Sequence, residues 1–203
     1  MRDTLKALTA AAVLCMGMTP ALAQDTAAQD APVVVNDPTI SSGTPEGENP
    51  VGSRYIAQTH GDWELVCTRM PEGQKDRCGM FQMLVDEGAN PTAEFNIGLL
   101  GTEQGVAVIG EIVTPLETLL TKGMRLSVDD GQAKLYPFQT CAKVGCLSRM
   151  SFTGEEIEAF KRGANAQVVI VPFKAPDREV RLSVSLSGFT AALDAMVESA
   201  KAE

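Results

Sequence analysis

Near its C-terminal end the chain reads Glu179-Val180-Arg181-Leu182-Ser183-Val184-Ser185-Leu186-Ser187, with apolar and polar residues in strict alternation. Successive side chains of an extended strand point to opposite faces, so this run is satisfied by a strand with one face in a core and the other in water. A lone strand cannot be stable, and the rest of the sequence supplies neighbours. Met124, Leu126 and Val128 alternate in the same way, and Asp129-Asp130-Gly131 supplies a turn into a partner over residues 133–138. Two apolar runs, 106–113 and 168–173, read as central strands covered on both faces, and residues 63–68, 78–85, 95–100 and 146–152 are shorter candidates. Together they predict an all-β fold of about nine short strands separated by Gly-containing turns, a β-sandwich or a barrel-like domain.

Helix signals are few. Thr153-Gly154-Glu155-Glu156 is a capping box ahead of Ile157 and Phe160, with Gly163 placed to stop a short internal helix. Thr114-Pro115-Leu116-Glu117 reads as a capped helical turn before Gly123. Phe189, Ala192, Leu193, Met196 and Val197 recur at helical spacing and predict a C-terminal helix folded back on the sheet. A partner-binding helix is the alternative use of that stripe.

The N-terminus has the form of an export signal. Arg2 and Lys6 precede an apolar stretch over residues 7–18, and Ala21 and Ala23 suit a signal peptidase, which places cleavage after Ala23. The run is shorter than the roughly 20 apolar residues of a bilayer-spanning helix. Leu14 before Cys15 is too large for a lipoprotein signal, and no later segment is long and apolar enough for a transmembrane span in the mature form. Residues 24–52, rich in Ala, Asp, Pro, Ser, Thr and Gly, read as a disordered polar linker, because such a segment buries too little apolar surface to offset its ordering entropy. The folded domain is then residues 53–203, long enough for one core.

Removing residues 1–23 takes away Arg2, Lys6 and Asp3 and moves the formal charge from -9 to -10. An acidic chain with scattered Lys and Arg makes nucleic acid a poor partner, since phosphate contacts dominate that affinity. The same scatter argues against a polybasic membrane-surface patch.

Four cysteines remain in the mature chain: Cys67, Cys78, Cys141 and Cys146. In an exported protein an even count favours disulfides. Of the three connectivities, the local pairs Cys67 with Cys78 and Cys141 with Cys146 are preferred, each flanking a loop. Loop-closure entropy gives them about 3 and about 2 kcal/mol respectively. Zinc is the alternative, but the chain has a single histidine, and neither pair combines the two-to-four-residue gap of a zinc module with histidine ligands. Cys141 and Cys146 are separated by four residues, against the two of a thioredoxin-like redox motif.

A search for catalytic groups finds no constellation. His60, the only histidine, sits beside the Gly61-Asp62 turn and reads as an exposed loop residue; a Ser-His-Asp set would have to use it, and no Gly-x-Ser-x-Gly elbow is present. The adjacent carboxylates Glu155 and Glu156, or Asp129 and Asp130, fall in a helix start and a turn, where acidic residues serve local roles. No phosphate-cradling loop or dinucleotide fingerprint occurs, so no cofactor is called for, and the cysteines and lone histidine give no metal site. Trp63 alternates with Leu65 and Cys67 and is expected to pack beside the first disulfide. The charged loop of residues 70–77, forced out between Cys67 and Cys78, is the best candidate for recognition, through Glu72, Gln74, Lys75, Asp76 and Arg77. Its plainer reading is a solvated hairpin loop.

Gly61-Asp62-Trp63 followed by Cys67 and Cys78, then Phe138-Gln139-Thr140-Cys141 with Gly145-Cys146, and last Leu186-Ser187-Gly188-Phe189 before an Ala-rich helix, resembles the invasion-associated locus B family over residues 54–198. The order and spacing of the four motifs carry the resemblance. It implies an exported bacterial envelope protein of the periplasm or outer surface, in a family named for its association with host-cell invasion, and it supplies no catalytic residues. The expected function is a non-enzymatic interaction module for a protein or cell-envelope partner. The alternatives are a small periplasmic hydrolase or hydrolase inhibitor, and thiol-disulfide exchange at Cys141 and Cys146.

Overall fold

Alternating strands of this length need edges paired in register, and the chain achieves this with one antiparallel sheet curled on itself. The computed structural model describes residues 43, 47–102 and 105–201; the predicted leader, residues 1–23, and most of the predicted linker, residues 24–42 and 44–46, lie outside the described residues. The strands are β1 (Arg54–His60), β2 (Trp63–Thr68), β3 (Arg77–Val85), β4 (Pro91–Thr102), β5 (Gly105–Thr114), β6 (Met124–Val128), β7 (Lys134–Tyr136), β8 (Thr140–Ala142), β9 (Gly145–Ser151), β10 (Asn165–Ile170) and β11 (Val180–Ser185). Helix α1 (Gly154–Arg162) lies between β9 and β10, and α2 (Phe189–Lys201) follows β11.

The path runs β7-β6-β10-β11-β3-β4-β5-β9-β8, with β2 also paired to β3 and β1 to β2. Its two ends meet. Residues 137–139, which join β7 to β8, lie along β9: the Gln139 amide donates to the Leu147 carbonyl at 3.0 Å and Ser148 Oγ donates to the Pro137 carbonyl at 3.0 Å. The Gln139 side chain accepts from the Arg149 amide at 2.7 Å. Of the two all-β forms the periodicity allowed, the barrel-like one is therefore found.

Eleven strands appear among the described residues instead of about nine. The two additions are β1, whose residues are mostly exposed, and the three-residue β8, so neither has the apolar alternation that betrays a strand. Two other runs end early, each at a proline, which has no N–H to donate to a ladder. The run 133–138 keeps only β7 before Pro137, and the run 168–173 leaves the sheet after Ile170, so that Phe173 is exposed where a buried central residue was expected. The run 106–113 differs too: as β5 it is buried at Ile112 and Val113 but open at Val106.

Inside the curl, five aromatic rings form a closed cycle. Trp63 meets Phe95 edge-on with centroids 5.6 Å apart and Phe189 at 5.4 Å; Phe189 stacks on Phe160 at 5.3 Å; Phe152 meets Phe160 at 5.2 Å and Phe95 at 6.4 Å. Each such contact adds about 0.5–1.5 kcal/mol beyond area burial. Trp63 shares its buried strand face with Leu65 and Cys67, and its aromatic partners are Phe95 and Phe189. The C-terminal helix buries Phe189, Ala192, Leu193 and Met196, which uses its apolar stripe for the core. Thr153 and Glu156 form the reciprocal cap of α1. At residues 115–123, a turn closed by the Thr118 amide on the Pro115 carbonyl leads into a single 3-10 turn, Leu120–Lys122.

Candidate functional site

Strands β11 and β2 come from opposite ends of the domain yet lie end to end on one edge of β3: Ser183 pairs with Val85, and Glu64 pairs with Phe81. The ladder is broken where they meet, and Gln82 fills the break. Its Nε2 donates to the Asp62 and Ser185 carbonyls at 3.2 and 3.0 Å, and its Oε1 accepts from the Ser185 amide at 2.9 Å. Trp63 Nε1 donates to the same Ser185 carbonyl at 2.8 Å, and Ser185 Oγ donates to the Asp62 carboxylate. Gly188, at φ +82°, packs so tightly that a Cβ there would lie 1.9 Å from the His60 carbonyl oxygen, and one on Gly61 would lie 2.5 Å from that of Ser187. The Gly61-Asp62-Trp63 and Leu186-Ser187-Gly188-Phe189 motifs are thus two halves of one seam. His60 stands at the end of β1, half-buried, where an exposed loop residue was expected; its Nε2 lies 2.9 Å from Gln58 Oε1 and is not paired with Ser185 or Asp62. Every named donor in this seam is directed at a structural acceptor.

The opposite, outward face of β2 to β9 is open. Its central row, in register across five strands, is Glu64, Phe81, Asn96, Glu111 and Arg149. Arg149 is ion-paired to Glu111. The next outward positions on β3 and β4 are Gly79 and Gly98, so the row beside Phe81 lacks side chains and leaves a trough. Two adjoining recesses of about 590 and 560 Å³ occupy it; Asn96 and Glu111 line both. Arg54, Arg77 and Val144 form part of the wall of the larger recess.

The loop of residues 70–77 stands at the rim, closed by the disulfide Cys67–Cys78, while Cys141–Cys146 closes the β8–β9 hairpin. Of its five candidate residues, Glu72, Gln74, Lys75 and Arg77 are exposed, and Arg77 alone lines the trough. Asp76 turns inward instead. It accepts from Tyr55 Oη and, at 2.8 Å, from the Met70 amide, and it pairs with Arg69 at 2.9 Å, whose guanidinium lies over the Tyr55 ring. The Tyr55 hydrogen bond, then that of Met70, holds the Asp76 carboxyl below the usual carboxylate range; the same bond to Asp76 pushes Tyr55 up. Asp76 therefore sets the loop's shape.

Sequence reasoning missed the trough and Gln82. Both left a trace: glycines inside strand runs mark a close approach or an open face, and Gln82 sits where the alternation of Met80 and Leu84 calls for an apolar residue.

The sequence profile of the Invasion associated locus B (IalB) protein family matches residues 63–197, from Trp63 in the seam to the last turns of α2. The chain belongs to this family. It is 30% identical over 145 residues to an invasion protein B homolog of Brucella abortus, covering 71% of this chain and 81% of that protein. To invasion protein B of Bartonella bacilliformis it is 27% identical over 147 residues, covering 71% and 76%. The crystal structure of invasion associated protein b from Bartonella henselae superimposes with a TM-score of 0.59 at 25% identity, over 71% of this chain and 98% of that one. The family match includes both cysteine pairs, Gln82 and the trough residues Phe81, Asn96 and Glu111. Among the described residues, no group of three metal-ligating side chains occurs, and no helix is long and apolar enough to cross a membrane.

Proposed function

We propose that this IalB-family chain is an exported, non-enzymatic interaction module that binds a protein or cell-envelope partner through the outward face of its curled sheet. The observation that carries the reading is the trough beside Phe81: two adjoining recesses, one lined by Gly98 and the other by Gly79 with two arginines, Arg54 and Arg77, that make no ion pair among the described residues. A concave, partly apolar surface with a few convergent polar groups is the form a binding site takes. The rim loop, through Glu72, Gln74, Lys75 and Arg77, would add contacts that vary the partner. In the same reading, residues 1–23 are a cleaved leader, residues 24–52 tether the domain, and the site of action is the periplasm or the cell surface. Two disulfides support an oxidising compartment, and the relatives' names support a role associated with invasion.

The test is cross-linking in intact cells from a photoreactive residue placed at Phe81, with the same residue at exposed Asp130 as control. A discrete adduct from position 81 alone supports the reading. Equal labelling from both positions, or turnover of a substrate that is lost in His60→Ala, would sink it.

A further inference from the structure

Lys and Arg are scattered in the sequence, but the fold gathers several of them. Residues 115–125 and 171–181 hold Lys122, Arg125, Lys174, Arg178 and Arg181 against Glu117, Asp177 and Glu179, a local excess of two positive charges in a chain of net charge -9. The two segments are locked together. The Leu119 amide donates to the Val171 carbonyl at 2.7 Å, the Phe173 amide donates to the Glu117 carbonyl at 2.7 Å, and Thr118 bridges Pro172. Lys122, Arg125 and Arg178, with Asp177 and Glu179 among them, surround a recess of about 240 Å³. Glu179 is occupied by both Arg125 and Arg181, and Glu117 by Lys174, which leaves Lys122 and Arg178 with no ion pair among the described residues.

The same two segments expose three large apolar side chains: Phe173 at 66%, Leu116 at 59% and Leu120 at 41%. Pro115, Pro172 and Pro176 restrict the backbone that carries them. Little entropy is therefore lost when they are covered.

We propose that these twin loops are a docking surface for an anionic lipid bilayer, with Phe173, Leu116 and Leu120 entering the headgroup–acyl boundary while Lys122 and Arg178 meet lipid phosphates. Apolar residues with neighbouring cations bind such surfaces by adding buried area to charge attraction. Each cation near an anionic surface contributes about fivefold in affinity. Charge repulsion from the acidic remainder of the domain is screened beyond a Debye length of about 8–10 Å. The apolar groups are exposed side chains carried by turns. A bilayer accepts such groups without a matching pocket, whereas a protein partner would have to supply one.

The chain, as the cell processes it, is sedimented with phosphatidylcholine vesicles and with mixed phosphatidylglycerol–phosphatidylcholine vesicles. Wild type should partition at least about tenfold better into the mixed vesicles. Phe173→Ser should lower that partition by about tenfold or more, as should the double change Lys122→Glu with Arg178→Glu. Both variants alter exposed side chains, and unchanged far-ultraviolet dichroism and melting confirm their fold. Because Trp63 is buried, a Phe173→Trp variant reports locally: its emission should shift to the blue with mixed vesicles. Equal partition into both vesicles, or binding that survives Phe173→Ser, overturns the proposal. Capture on immobilised polyglutamate with no vesicle binding would also overturn it, and would assign the loops to an acidic protein.

Discussion

The two faces of the β2–β5 sheet are built on opposite rules. Facing inward and at the seam beside it, a cycle of five aromatic rings and the Gln82 hydrogen bonds are accompanied by glycines held against neighbours: Gly110 against Phe152, Gly61 against Ser187 and Gly188 against His60. Facing outward, the same strands carry Phe81 and Asn96 half-exposed beside Gly98, where a Cβ would meet nothing within 4 Å. A glycine held by contact is structural, and a glycine facing open space leaves room for something else. The contrast separates what the fold requires from what is free to serve recognition.

The largest effect expected is the glycine contrast itself. Gly188→Ala places a methyl 1.9 Å from the His60 carbonyl in a left-handed backbone, and should cost more than about 3 kcal/mol in denaturant unfolding or prevent folding altogether. Gly98→Ala on the outer face should change stability by less than about 1 kcal/mol while lowering the yield of the position-81 cross-link. If the two alanines are equally tolerated, the seam is looser than its distances state.

Gln82→Leu comes next. It keeps approximate volume but strips hydrogen bonds from the Asp62 carbonyl and the Ser185 amide, while the Ser185 carbonyl retains Trp63 Nε1. Two poorly satisfied groups imply a loss of about 2–4 kcal/mol. Asn96→Leu, one strand over and facing outward, should change stability by less than about 0.5 kcal/mol. A neutral Gln82→Leu would mean that the ladder break is closed by other means.

Much of this division was legible in the sequence, and its gaps have physical causes. Alternation located β6 and β11 because each has one wet face, and helical spacing located α2 because one stripe is buried. Alternation missed β1, an exposed edge whose side chains are nearly all polar or wet, and the continuous apolar run 168–173 overran β10 because Val171 is apolar although Pro172 ends the ladder. The cysteines signalled a loop between Cys67 and Cys78, but nothing local shows that Asp76 reaches back to Tyr55, 21 residues earlier. The trough and the twin basic loops are products of register and topology, so they appear only once strands are paired.

The disulfides extend the comparison to the two cysteine pairs. Cys67 is buried among core residues on β2, whereas Cys141 is exposed on the short β8. Replacing Cys67 and Cys78 by Ala should lower stability by about 3 kcal/mol, and replacing Cys141 and Cys146 by about 2 kcal/mol. In native protein a mild thiol should reduce the Cys141–Cys146 pair first, by attack at the exposed Cys141 sulfur, since Cys146 is buried; the outcome is read by mass after alkylation. Preferential reduction of Cys67–Cys78 would place the more open region at the 70–77 loop.

The smallest effect expected is the pH response of that loop, because it rests on one half-buried carboxylate, Asp76. Asp76 has a folded-state value below its unfolded one, chiefly from the Tyr55 hydrogen bond and then the Met70 amide. Its stabilisation is therefore fully present above the ordinary carboxylate value of about 3.9 and is lost as pH falls through the folded value. Tyr136 supplies the opposite sign. Burial first, then the charge of Glu156, raises its phenol to about 12, so its contribution is present below about pH 10 and declines as pH rises toward about 12. Below pH 4, the protection of the Met70 amide against hydrogen exchange, taken relative to its intrinsic rate at each pH, should fall in wild type while the Trp63 signal stays native. Asp76→Asn should show fast exchange already at neutral pH, and Tyr55→Phe an intermediate rate. If Met70 exchange in wild type tracks global unfolding at every pH, the 70–77 loop belongs to the rigid inner face, and the boundary between folding and recognition moves outward to residues 72–75.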